Sequence, residues 1–182
     1  MTKIIRSAAA GVALFAAMGL GSAAHAQVSE SADARAEVLA ALQLTNDADL
    51  DFGALVLNAG SAGGSVTVDS TGFRDCFGDV ICGPGGTEQA STFTVTGAAN
   101  TNVLVSVQDL FTNPVSLTHT GFAGSPNAEH NIELTGLDDG SFGGFFGFSG
   151  SESFNVGGTI DLDGSEVAGT YVGSFDVTVE YQ

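Results

Sequence analysis

The sequence predicts an all-β protein, an antiparallel sandwich or barrel. Three observations carry this reading. Short apolar runs with a period of two recur along the chain, about eight to ten of them. Glycine, serine, asparagine and aspartate fill the intervals between them, with 26 glycines in 182 residues. The last stretch, Gly169 to Gln182, reads GTYVGSFDVTVEYQ and alternates throughout. Tyr171, Gly173, Phe175, Val177, Val179 and Tyr181 fall on one face of a strand, with Val172, Ser174, Asp176, Thr178 and Glu180 on the other. A long strand at the chain terminus needs a partner on each edge, or one edge reserved for another molecule.

The chain opens with a segment that reads as a secretory signal peptide rather than as part of the fold. Lys3 and Arg6 precede an apolar run from Ala8 to Leu20, and Ala24-His25-Ala26 supplies a small-x-small cleavage pattern before Gln27. The apolar run is short for a membrane anchor. Residues 1–26 are therefore expected to be removed, leaving 27–182 as a single domain long enough to bury a core.

The elements follow in order. Ala34 to Leu44 alternates as Ala34, Ala36, Val38, Ala40, Leu42 and Leu44, which predicts a strand over a competing helix favoured by its Ala, Glu and Leu. Leu50 and Phe52 open a second short strand, closed by Asn58-Ala59-Gly60-Ser61. Val66 with Val68, Phe93 with Val95, and Val103, Val105 and Val107 mark the next three. Val115 with Leu117, Ile132 with Leu134, and Phe154 with Val156 lead to the terminal strand. No fixed period marks a solenoid.

Composition excludes several functions. All 21 acids lie beyond residue 26, where the only basic residues are Arg35 and Arg74, so the mature chain carries about −19 with His neutral. Such a surface repels nucleic acid and anionic lipid. The Val, Leu and Phe content argues for a packed core rather than disorder.

Few residues suggest chemistry. Cys76 and Cys82, in RDCFGDVICGPGG, are the only cysteines, and export predicts a disulfide between them. Their spacing is not Cys-x-x-Cys, and zinc would need two more ligands. Asp161-Leu162-Asp163-Gly164-Ser165 and Leu137-Asp138-Asp139-Gly140 could serve calcium, but a full calcium loop needs more oxygen ligands, and solvated turns are the expectation. His119 shares the parity of Val115 and Leu117, which predicts a partly buried strand residue. There is no Gly-x-Ser-x-Gly elbow and no metal-type His pair. Phe142, Phe145, Phe146 and Phe148 sit among glycines, either tucked over the core or exposed as a binding patch. No catalytic, cofactor-binding or metal residue is assigned.

Five segments occur in the same order in a bacterial secreted family catalogued as domain of unknown function 4402: Leu50–Val56, Ser65–Arg74, Ser91–Asn100, Phe154–Leu162 and Ala168–Gln182. The carboxyl end also resembles chaperone–usher pilus subunits, with Tyr181 penultimate and Gly169 fourteenth from the end. That resemblance implies an immunoglobulin-like sandwich lacking a strand, completed by a neighbour's amino-terminal extension. Gly169, Tyr171, Gly173, Phe175, Val177, Val179 and Tyr181 would then form the assembly strand. The partners implied are copies of the chain or related subunits and a periplasmic chaperone. The donor would come from VSESADARAEVLAALQL after Gln27, unless Ala34–Leu44 belongs to the domain's own sheet. The expected function is an exported, non-enzymatic, fimbrial-like surface subunit. The alternatives are a solitary secreted sandwich that binds calcium or a surface glycan, and a secreted hydrolase with a dispersed site.

Overall fold

Ser151–Leu162, the longest strand, ties the two halves of the molecule together. A computed structural model describes residues 27–84, 87–140 and 144–182, with backbone alone for 144–146. The expected signal peptide (1–26), Phe142 and the side chains of Phe145 and Phe146 lie outside this description. The described strands are β1 (Gln43–Ala48), β2 (Leu55–Leu57), β3 (Gly64–Val68), β4 (Arg74–Gly78), β5 (Val80–Cys82), β6 (Ser91–Thr96) and β7 (Thr101–Val107). They continue as β8 (Val115–His119), β9 (Asn131–Asp138), β10 (Gly144–Phe148), β11 (Ser151–Leu162), β12 (Tyr171–Val172) and β13 (Val177–Tyr181). Every pairing is antiparallel. The fold is an all-β antiparallel sandwich.

The first half of β11 pairs with β6, which pairs in turn with β1. A second sheet, β10-β7-β13, closes over this half. Phe93, Val95, Val103, Val105, Phe148, Phe154 and Val156 fill the space between. The rings of Phe93 and Phe154 stack with centroids 5.6 Å apart. Each of these valines and phenylalanines sits on the inward side of its strand, as the period of two requires.

The second half of β11 pairs with both β3 and β9, and the ladder continues through β8 to β12. On the other side β3 pairs with β4. A tight turn at Asp79 leads into β5, which pairs with β2. The ribbon curls around a second core of Phe52, Val66, Val68, Val80, Val115, Ile132, Leu134, Ile160 and Leu162. Leu137 and Phe175 pack against both cores.

Three sequence expectations change. The strand placed at Ala34–Leu44 begins only at Gln43. Residues 27–42 form neither helix nor strand, and Val38 is 93% exposed. Alanine side chains offer little apolar area at about 25 cal/mol per Å², too little to hold that stretch against a sheet. Leu50–Phe52 is not a strand, although Asp51 makes an isolated bridge to Gln89 and Phe52 is buried. The terminal run is two strands on two sheets, because the chain leaves β8 after Val172 and joins β7 at Val177. The inward parity of Tyr171, Phe175, Val177, Val179 and Tyr181 survives this crossing, so the sequence reads as unbroken. Gly173, expected to face inward, is exposed.

Val38–Gln182 forms one compact unit. Among the described residues no helix is long and apolar enough to cross a membrane.

Candidate functional site

The terminal strand presents the clearest site. Gln108 N–H donates to the Asp176 carbonyl and Gln182 N–H donates to the Asn102 carbonyl. In an antiparallel ladder these bonds fall on alternate residues. Asp176, Thr178, Glu180 and Gln182 therefore turn their backbone groups toward β7, while Val177, Val179 and Tyr181 turn theirs the other way. Among the described residues β13 pairs with β7 alone. The outward N–H and C=O groups of those three residues thus form a row open to another strand.

The side chains beside that row are half-buried. Val177, Val179 and Tyr181 pack against the Phe93–Phe154 core, as do Leu42 and Leu44 next to and within β1. β1 is itself the end strand of its sheet. Leu42 and the Tyr181 hydroxyl both approach Gly97, so β1 and β13 border the same open side of the sandwich. The Tyr181 hydroxyl donates to the Ala40 carbonyl at 2.8 Å and accepts from Ala98 N–H, closing one end of that side. Phe175 meets Phe93 edge-on at 6.4 Å and anchors the other end of the strand.

The earlier part of the predicted assembly strand does different work. Gly169 is exposed, and a side chain there would collide with the His119 ring. At Gly173 an added Cβ would lie 2.9 Å from the Ser116 carbonyl oxygen. Both positions call for glycine because the chain passes close over β8 there. Tyr171 is half-buried and donates to the carbonyls of Glu129 and Val167. Burial, and then the Glu166 carboxylate, push its hydroxyl above the ordinary tyrosine value.

A groove of about 640 Å³ opens between residues 50–57 and 166–171. These segments flank the two ends of the curled ribbon, β2 and β12. Leu117, Ile132, Ile160 and Leu162 give it an apolar lining, with Asp51 and Glu166 also at its walls. The sequence did not reveal this groove, since its walls come from segments far apart in the chain.

His119, Phe122, His130 and Tyr171 form an aromatic cluster beyond β8. Phe122 stacks on His130 with centroids 3.9 Å apart, and Tyr171 meets His119 edge-on at 5.2 Å. His119 is half-buried, as its parity predicted, and His130 is buried. The Ser125 hydroxyl lies 2.7 Å from His130 Nδ1, with Glu129 Oε1 3.7 Å from Nε2. This resembles a hydrolytic triad in composition. Ser125 also accepts from Asn127 N–H, however, and the three residues brace one turn away from the groove.

Cys76 and Cys82 form the predicted disulfide, with Cα atoms 5.8 Å apart. The acidic clusters bind their own turns. Asp138 accepts from the N–H groups of Ser70 and Gly140, which hold its carboxyl below the ordinary carboxylate range, Ser70 contributing most. Asp163 accepts from Ser165 N–H and is lowered by that residue's side chain and backbone. Glu166 accepts from the N–H groups of Asp163 and Gly164. Among the described residues no group of three His, Cys, Asp or Glu side chains is arranged to hold a metal ion. Phe148 is buried in the core.

Comparison with known families adds one finding. Residues 42–181 match the family described as "Domain of unknown function (DUF4402)". No curated protein matches the chain.

Proposed function

We propose that this chain, which belongs to the DUF4402 family, is an exported, non-enzymatic structural subunit that joins to other subunits by strand addition. The observation that carries the proposal is the open edge of β13. Its outward backbone groups, at Val177, Val179 and Tyr181, lie beside half-buried apolar side chains that an added strand would cover. Main-chain hydrogen bonds would supply affinity, and alternate side chains would supply register. The segment 27–38, exposed and neither helix nor strand, would supply the donor, with Ala32, Ala34, Ala36 and Val38 alternating. The disulfide agrees with an oxidising compartment outside the cytoplasm.

Deleting Gln27–Ala36 tests the proposal. The intact mature chain, Gln27–Gln182, should form polymers by size exclusion and electron microscopy, and the deletion should leave a folded monomer. A mature chain that stays monomeric and fully stable at high concentration would overturn it.

One observation favours a second reading, a solitary binding module. The 640 Å³ groove is large enough for a small ligand. That reading predicts a monomer whose melting temperature rises with ligand.

A further inference from the structure

We infer that the outer face of the disulfide-bearing lobe docks a cationic, amphipathic segment of another protein. The face is set by register. The Cys76–Cys82 bond, with Cα atoms 5.8 Å apart, and the single residue Asp79 between β4 and β5 hold Phe77 and Ile81 close together. Ile81 pairs with Val56, and Phe77 pairs with Ser65. Ser65 pairs with Asp161, which pairs with Glu133. They make one row in two ladders, Val56 with Ile81 and Phe77 with Ser65, Asp161 and Glu133, with neighbours about 5 Å apart within each ladder and the disulfide joining the two. Their neighbours along the strands, Val66, Cys76, Val80, Cys82 and Ile160, point inward to the core. The row therefore faces out.

Its chemistry changes along its length. Phe77 is 75% exposed, Ile81 51% and Val56 43%, an apolar block on a surface where large apolar groups usually turn inward. Beyond Ser65 the row becomes acidic, with Asp161 and Glu133 exposed. Asp75 on the same strand and Asp79 in the turn after it, both exposed, flank Phe77. Cations to balance these acids are scarce. Beyond residue 26 it has no lysine, and its cations are Arg35 and Arg74. Arg74 is buried and committed to Glu88 and to the carbonyls of Phe52 and Gly83.

This charge pattern selects the occupant. A second copy docked here would bring Asp75, Asp79, Asp161 and Glu133 against their own kind. A segment with an apolar block followed by lysines or arginines would cover Phe77, Ile81 and Val56 while its cations meet Asp161 and Glu133. This surface is separate from the β13 edge, so the inference stands whether or not the chain polymerises.

The test uses the mature chain and two short synthetic peptides of equal charge, one with a leucine block followed by lysines, the other alternating lysine and serine. Fluorescence anisotropy should show the block peptide binding about tenfold tighter than the lysine–serine peptide. Phe77→Ser with Ile81→Ser should erase that preference. Asp161→Asn with Glu133→Gln should weaken both peptides and flatten their salt dependence. Val56→Ser, outside the hairpin, should reduce the preference in the same direction and guards against a local disturbance by the double change. Amide shifts on adding the block peptide should centre on Val56, Phe77 and Ile81. Equal binding of the two peptides, a preference that survives Phe77→Ser with Ile81→Ser, or shifts centred on the groove at 50–57 and 166–171 would overturn the inference.

Discussion

The Tyr181 hydroxyl donates to the Ala40 carbonyl at 2.8 Å, joining the penultimate residue to the chain just before β1. The same oxygen accepts from Ala98 N–H, so one phenol holds together the start of β1, the β6–β7 turn and the end of β13. This contact closes one end of the open side of the sandwich.

Tyr181→Phe should therefore lower stability by about 1–2 kcal/mol, the cost of the lost bond plus two unsatisfied backbone groups. Urea unfolding would measure it. In the polymer proposal the change also loosens the end of the acceptor edge, so subunit exchange should quicken. A variant as stable as the parent would show that water replaces the phenol without loss.

Parity on β13 predicts a contrast between neighbours. Val177 is half-buried against the core, while Thr178 is exposed. Val177→Asp should cost about 1–3 kcal/mol by placing a carboxylate among apolar side chains, less than full burial would cost. Thr178→Asp should stay within about 0.5 kcal/mol. Equal losses at the two positions would show the strand turned or slipped by one residue.

Arg74 holds the segment before β2 to the disulfide lobe. Its guanidinium donates to the Phe52 carbonyl at 2.9 Å and the Gly83 carbonyl at 3.0 Å, and faces Glu88 at 3.5 Å. Arg74→Met should destabilise by about 3 kcal/mol, because it orphans these carbonyls and leaves Glu88 unpaired. Restoring part of the loss with Glu88→Gln would show how much comes from the carboxylate.

Removing the disulfide as Cys76→Ala with Cys82→Ala should cost about 2 kcal/mol on the loop-entropy estimate. The chain purified from an oxidising compartment should be lighter by two hydrogens than its reduced form. Two free thiols would contradict the bond seen between these residues.

Asp138 gives a pH dependence with a definite sign. Its folded carboxyl is held below the unfolded value by the N–H groups of Ser70 and Gly140. The unfolded chain then binds the proton first, so the contribution is present above the unfolded value of about 3.9 and is lost as pH falls through the folded one. Asp138→Asn should lower stability near neutrality, and the gap to the parent should close as pH falls through the folded value. Measuring the difference cancels the general relief of acid repulsion on acidification. A gap independent of pH would assign the effect to geometry rather than charge.

The sequence alone determined the strand-rich fold, the inward parity of most strands and the cysteine pairing. These depend on local alternation, turn residues and an isolated pair of cysteines, all of which are written in neighbouring residues. Val66 and Val68, Phe93 and Val95, and Val103 and Val105 lie in the core as their period required. The half-burial of His119 and the inward set of β13 were legible for the same reason. Tertiary structure alone decided where the terminal run divides, because a chain can cross from one sheet to another without breaking its period. It also set the groove between residues 50–57 and 166–171 and the row from Val56 to Glu133, whose members are distant in the chain. Ala34–Leu42 shows the converse: its alternation is real, but alanine buries too little surface to pay for ordering it as a strand. Alternation states which side of a strand is apolar, and only packing decides what that side meets.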